Sequence, residues 1–223
     1  MGTPIDPSPA ARAHLRAVIA TRPSPTREQR SSQVTRGLVL ALAPVVLVAV
    51  ARGVPLGGRP AGYVSIVAVG WSALAVASSL WVLRPGRSAL GRSRPSLLLL
   101  ACVLPVGLLA ASVIASACFP ETATAPSYGV RVHLVCAAMA TALSLLPFII
   151  VLWLFRRGDP VKPWATGAAL GALTGTWAGT VIAIQCPHPE PIHVALGHAL
   201  PIAMMAAVGA AMGVRVLAIR WTR

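Results

Sequence analysis

Cys118, His133, Cys136, Cys186, His188, His193 and His198 hold most of the chain's capacity for chemistry, and all fall at one end of its apolar segments. His133 and Cys136 are three apart, so on a helix they share a face. Cys186-Pro-His188 closes one segment, and Glu190 and His193, again three apart, open the next. His193 and His198 are five apart, about 140° around an ideal α-helix, which turns one partly away from the other. Thiolates and imidazoles together suit zinc, cadmium or copper, ions that take about four such ligands. The sequence demands no resident cofactor, so a transiently bound soft metal ion is the ligand class this set implies. In an oxidising compartment two of the three cysteines could instead pair as a disulfide, and the sequence leaves the pair open. Cys102 sits inside an apolar segment and reads as packing. Cys-x-x-Cys, His-Glu-x-x-His and Gly-x-Ser-x-Gly are all absent, so the expectation is a protein that is not an enzyme.

The elements that must position these residues are membrane spans. Apolar residues make up 56% of the 223-residue chain and charged ones 11%, the latter gathered in short runs. Stretches of about 20 uncharged apolar residues suffice for a helix to cross a bilayer with its backbone satisfied internally. Six are predicted, at 37–51, 61–83, 96–118, 132–155, 164–184 and 192–214, giving an all-α integral membrane bundle over 37–214. A cytoplasmic segment, 1–36, precedes it and a short tail, 215–223, follows. The first span is the shortest; it either ends at Arg52 or runs on towards Leu56.

Sixteen of the nineteen Lys and Arg residues fall before span 1, in the second and fourth loops, and in the tail, leaving Arg52, Arg59 and Arg131 for the other side. The positive-inside rule then places both termini in the cytoplasm and the thiols outside. The net charge of +14 is accounted for by topology and anionic lipid, which removes the case for direct nucleic-acid binding. Residues 1–36 have no apolar core of the kind that marks a cleavable signal peptide. Pro9 to Ala20 reads as a short helix with Leu15, Val18 and Ile19 near one face and Arg16 on another. The Arg22-Pro-Ser-Pro-Thr-Arg-Glu-Gln-Arg30 run reads as a linker. This segment is either a basic tether or a helix that docks into a cytoplasmic partner.

No span carries Asp, Glu, Lys or Arg in its interior, which argues against a pump or coupled transporter. Gly167, Gly171, Gly175 and Gly179 form one stripe, and Gly209 and Gly213 a shorter one; such stripes allow close helix packing, within the bundle or across a homo-oligomer. Pro44, Pro105, Pro147 and Pro201 are predicted to kink their spans.

The run Arg156-Arg-Gly-Asp-Pro-Val-Lys-Pro163, the glycine-striped span, Cys186-Pro-His-Pro-Glu-Pro-Ile-His193 and Val-Ala-Leu-Gly-His198 resemble the NrsF-like family of six-span inner-membrane anti-sigma factors of bacteria. Arg22-Pro23 and the Arg84-Pro85-Gly86 turn extend the resemblance over most of the chain. Gly197 stands where family members commonly have tryptophan. The resemblance implies that residues 1–36 (Leu15, Arg16, Val18, Ile19 and Arg22 among them) hold an extracytoplasmic-function sigma factor at the inner membrane. It also implies that outward-facing Cys118, Cys136 and Cys186, supported by His193 and His198, register heavy-metal or oxidative stress. Two other readings compete: a small metal-ion permease or membrane scaffold with an outer Cys/His loading site, and a membrane thiol oxidoreductase, which the lack of a paired redox motif disfavours.

Overall fold

The computed structural model describes residues 27–53, 59–83, 93–119, 129–156 and 162–218, together with Ala10, Ala13 and Ala17. Leu15, Arg16, Val18, Ile19 and Arg22 lie outside the described residues. All the long elements are helices: α1 (Arg27–Arg52), α2 (Ala61–Leu83), α3 (Arg94–Cys118), α4 (Val130–Phe155), α5 (Pro163–Gln185), and a last rod made of α6 (Pro191–Val194), a π-helical turn (Ala195–Ala199) and α7 (Leu200–Val216). Among the described residues, five of these rods, from α2 to the last, are long and apolar enough to cross a bilayer.

Three helix starts follow from proline in the first turn, where the missing N–H costs nothing: α3, α5 and α6. Helix α1 stops at Arg52 because Gly53 adopts φ 68° and returns its N–H to the Ala49 carbonyl, the left-handed cap that glycine adopts without strain. At its other end α1 begins at Arg27, ten residues before the predicted span, so Arg27–Arg30, the last four residues of the expected linker, are helix. Between Pro25 and Pro44 nothing breaks a helix, and Arg, Glu and Gln favour one.

Helix α5 is the axis of the bundle. Nearly its whole length is buried, and it packs on α2, α3, α4 and, most extensively, α7. Its hydroxyls stay at home: Thr174, Thr176 and Thr180 donate to carbonyls one turn back. Trp177 reaches across to donate to Ser79 Oγ of α2 at 2.9 Å. Helix α1 is the opposite case. Val39, Leu47 and Val50 are 62–74% exposed, as lipid-facing residues would be, and its packing is against α4 and α5.

The stripe on α5 meets the stripe on α7. A Cβ at Gly167 would fall on the Gly209 carbonyl, one at Gly171 on the Met205 carbonyl, and one at Gly213 on the Pro163 carbonyl. At Gly175 the nearest atom is Ile202 Cα at 3.0 Å, and at Gly179 nothing lies nearer than 3.4 Å. The two helices therefore touch backbone to backbone near the basic ends of the rods and diverge toward the thiol end.

Candidate sensor and metal site

Three elements deliver the site. Cys136 comes from the second turn of α4, Cys186 caps the C-terminus of α5, and His193 and His198 come from the last rod. Cys186 is fixed by its own N–H, which donates to the Ile182 carbonyl at 2.7 Å. Arg59, just before α2, is buried and donates to the carbonyls of Ala183 and Ile184 at 3.3 and 2.8 Å. It thereby supplies positive charge and donors where the end of α5 leaves carbonyls unpaired.

The π-helical turn overturns one expectation. On a regular α-helix His193 and His198 would diverge; here Leu200 donates its N–H to the Ala195 carbonyl five residues back, and the wider turn brings both imidazoles to one side. Their ring centroids are 5.2 Å apart. Pro201 gives the physical reason, since it cannot donate to the Gly197 carbonyl, and the freed ladder accommodates the extra residue. Gly197 matters at the same place: a Cβ there would lie 3.2 Å from Cys136 Cβ and 3.3 Å from the His193 ring.

One donor atom from each of Cys136, Cys186, His193 and His198 lies within 4.8 Å of every other. The Cys136 and Cys186 sulfurs are 3.7 Å apart, and Cys186 Sγ is 3.1 Å from His193 Nε2. Tetrahedral zinc, with Zn–S about 2.3 Å and Zn–N about 2.0–2.1 Å, spaces its ligand atoms about 3.3–3.8 Å apart. Two thiols and two imidazoles at these separations fit such an ion with small adjustments. All four cysteines of the chain are free.

The burial of His198 points the same way. It is 1% exposed, and neither ring nitrogen makes a hydrogen bond of good geometry, the Cys186 thiol being the polar group beside it. An imidazole left so is costly, about 1–3 kcal/mol per buried unsatisfied group, unless a ligand completes it. Trp71 of α2, fully buried, stands edge-on to the ring at 6.2 Å. His193 Nδ1 faces His133 Nδ1 at 2.8 Å, so one donates and the other accepts. His188 packs against His193 with centroids 5.2 Å apart. Outside the helices, the hydrogen bond with Cys136, then burial, pushes the Cys186 thiol up, with His193 and His198 pulling it down. Burial holds His188 below the ordinary imidazole range.

Of the seven residues singled out by type and spacing, Cys136, Cys186, His193 and His198 meet, and His133 and His188 flank them. Cys118 ends α3 as an exposed thiol outside this group. Sequence reasoning passed over Trp71 and Arg59. Trp71 gives no signal beyond being a tryptophan deep in an apolar span, whereas Arg59, one of three cations on the sparsely charged side, offered one. A cleft of about 350 Å³ reaches the thiols from the side, with Cys136, Cys186, Met139, Ile182, Arg52 and Arg131 among its lining residues.

The family whose description is negative regulator of sigma F matches residues 16–221 of this chain. No curated protein and no solved structure matches it.

Proposed function

The chain belongs to the family of negative regulators of sigma F, and on that premise we propose that it is an anti-sigma factor of the bacterial inner membrane whose thiol end is a stress sensor. Both termini are cytoplasmic in this reading. Residues 1–36, with Leu15, Arg16, Val18, Ile19 and Arg22, hold an extracytoplasmic-function sigma factor away from RNA polymerase. A soft metal ion or an oxidant arriving from outside engages Cys136 and Cys186, with His193 and His198 completing the set for a metal. The observation that carries the reading is the convergence of two thiols and two imidazoles from three elements within 4.8 Å, with the buried His198 ring unpartnered.

Release requires that the engaged site and the sigma-holding state disfavour one another. Shifting from mostly bound to mostly free takes roughly 5 kcal/mol of differential affinity, a scale that thiolate–metal bonds can supply. Helix α1 supplies the physical route. Its thiol-end turns touch the site's surroundings, where Gln185 donates to the Val48 carbonyl at 3.3 Å and Arg52 lines the cleft. At its other end it begins at Arg27, inside the 1–36 segment assigned to the partner. A helix that is packed on one side only can shift at modest cost.

The test couples capture to induction. A pull-down after mild detergent extraction should recover a sigma factor with the full chain and not with the chain lacking residues 1–36. Cys136→Ser and Cys186→Ser should each keep capture and abolish induction of the sigma-dependent genes by cadmium or peroxide. Normal induction in both variants would remove the thiols from the mechanism, and capture without residues 1–36 would remove the segment.

A further inference from the structure

Of the three cations on the sparsely charged side of the chain, Arg59 is engaged with the α5 carbonyls. The other two, Arg52 at the last turn of α1 and Arg131 in the first turn of α4, both line the one cleft of about 350 Å³. Among the described residues no carboxylate lines it. Two arginines at one cavity place like charges together, and the arrangement suits an anion between them. The rest of the lining joins the thiol end (Cys136, Cys186 and His188) to an apolar wall of Val135, Met139 and Ile182, and Gln185 is held by its amide nitrogen on Val48 while its carbonyl oxygen is buried without a partner. The same turns of α1 and α4 expose Leu47, Val50, Leu134 and Val135 on their outer faces.

We propose that this cleft is a binding site for an anionic phospholipid, with the headgroup phosphate between Arg52 and Arg131 and the first part of an acyl chain along Val135, Met139 and Ile182. Arginine is suited to bidentate phosphate recognition. A headgroup hydroxyl would satisfy the Gln185 oxygen. The apolar wall and the exposed apolar residues beside it favour a lipid over free phosphate, which has nothing to place there. Because Arg52 belongs to α1 and Arg131 to α4, a bound headgroup fastens the loosely packed helix to the bundle beside the thiols. The proposal rests on the membrane-spanning reading and is independent of the sigma factor; because Cys136 and Cys186 line the same cleft, a bound lipid would also cover the side route to the thiols.

The experiment is native mass spectrometry of the purified full-length protein, released from detergent after equilibration with equal amounts of phosphatidylglycerol and phosphatidylcholine. Preferential retention of one phosphatidylglycerol, by about tenfold or more, is expected, because phosphatidylcholine carries beside its phosphate a quaternary ammonium that the two arginines repel and has no headgroup hydroxyl for Gln185. The Arg52→Gln, Arg131→Gln double variant should lose that preference, and the Arg52→Lys, Arg131→Lys variant, which keeps the charge, should recover most of it. That second variant separates loss of the site from loss of the fold. Equal retention of both lipids, or an undiminished preference in the glutamine variant, would overturn the proposal. Displacement of the lipid by inorganic phosphate at low concentration would also overturn it, in favour of a free-anion site.

Discussion

Along α5 and α7 the contacts change character from one end to the other. Near Gly167 and Gly171 the two backbones touch, with no room for a methyl group between them. Near Gly179 they have parted enough to admit Ile202, Trp71 and the carbonyl of His198 around the glycine. Both regions are buried, yet the first is chemically silent and the second holds the His198 imidazole, whose nitrogens make no hydrogen bond. Close packing at one end sets the angle at which the rods open at the other, and the opening is the space the thiol end uses. Burial by itself therefore does not mark a structural residue; burial together with satisfied or absent polar atoms does.

The sharpest way to break this comparison is a single methyl group. Gly171→Ala places a Cβ on the Met205 carbonyl, so the helices must separate, and overpacking of that kind costs about 1–3 kcal/mol or more. Gly179→Ala has ordinary contact distances and should cost less than about 0.5 kcal/mol. Thermal unfolding of the two variants in the same detergent measures the difference. Equal midpoints would mean that the seam is not the rigid half of the molecule.

At the open end the sign should reverse. His198→Phe keeps an aromatic ring against Trp71 and removes two unpaired nitrogens, so the metal-free protein should be as stable as the parent or more so. The same change deletes one of four donors and should weaken zinc or cadmium binding by about tenfold or more. Competition with a chromogenic chelator reads the affinity and thermal unfolding in EDTA reads the stability. A variant that loses stability and keeps its metal affinity would make His198 a packing residue like those of the seam.

The contrast also shows what the sequence could reveal. Helix positions for α2 to α7 followed from uninterrupted apolar length, because a bilayer-spanning helix must be about that long, and the predicted 61–83 coincides with Ala61–Leu83. The start of α1 did not, since Pro23, Pro25 and the charges beside them read as linker, although Arg, Glu and Gln after Pro25 propagate helix as readily as they avoid lipid. The glycine stripe marked a face, but its four members look alike in sequence; which pairs touch depends on the crossing of α5 and α7. The separation of His193 and His198 differs from that on a regular helix because of the π-helical turn between them. Pro201 held the clue, as a residue that breaks the hydrogen-bond ladder one turn after Gly197. Which thiols meet depends on helix order around the bundle, which span order does not encode.

Cys118 gives the smallest expected effect and the finest test of the boundary. It is exposed at the end of α3 and outside the Cys136, Cys186, His193 and His198 group, so Cys118→Ser should change metal affinity and induction by no more than about twofold, within the 0.5 kcal/mol typical of surface substitutions. Set beside Cys136→Ser, it separates a thiol that merely shares the end of the bundle from one that shares its donor set. If Cys118→Ser abolished induction while leaving metal affinity of the purified protein intact, the exposed thiol would act between molecules, by pairing with another copy or with an external reductant, and the sensor would extend past the buried group. If both were unchanged, accessibility would be shown to matter less than neighbours: the responsive thiols would be those held beside imidazoles and reached through the cleft.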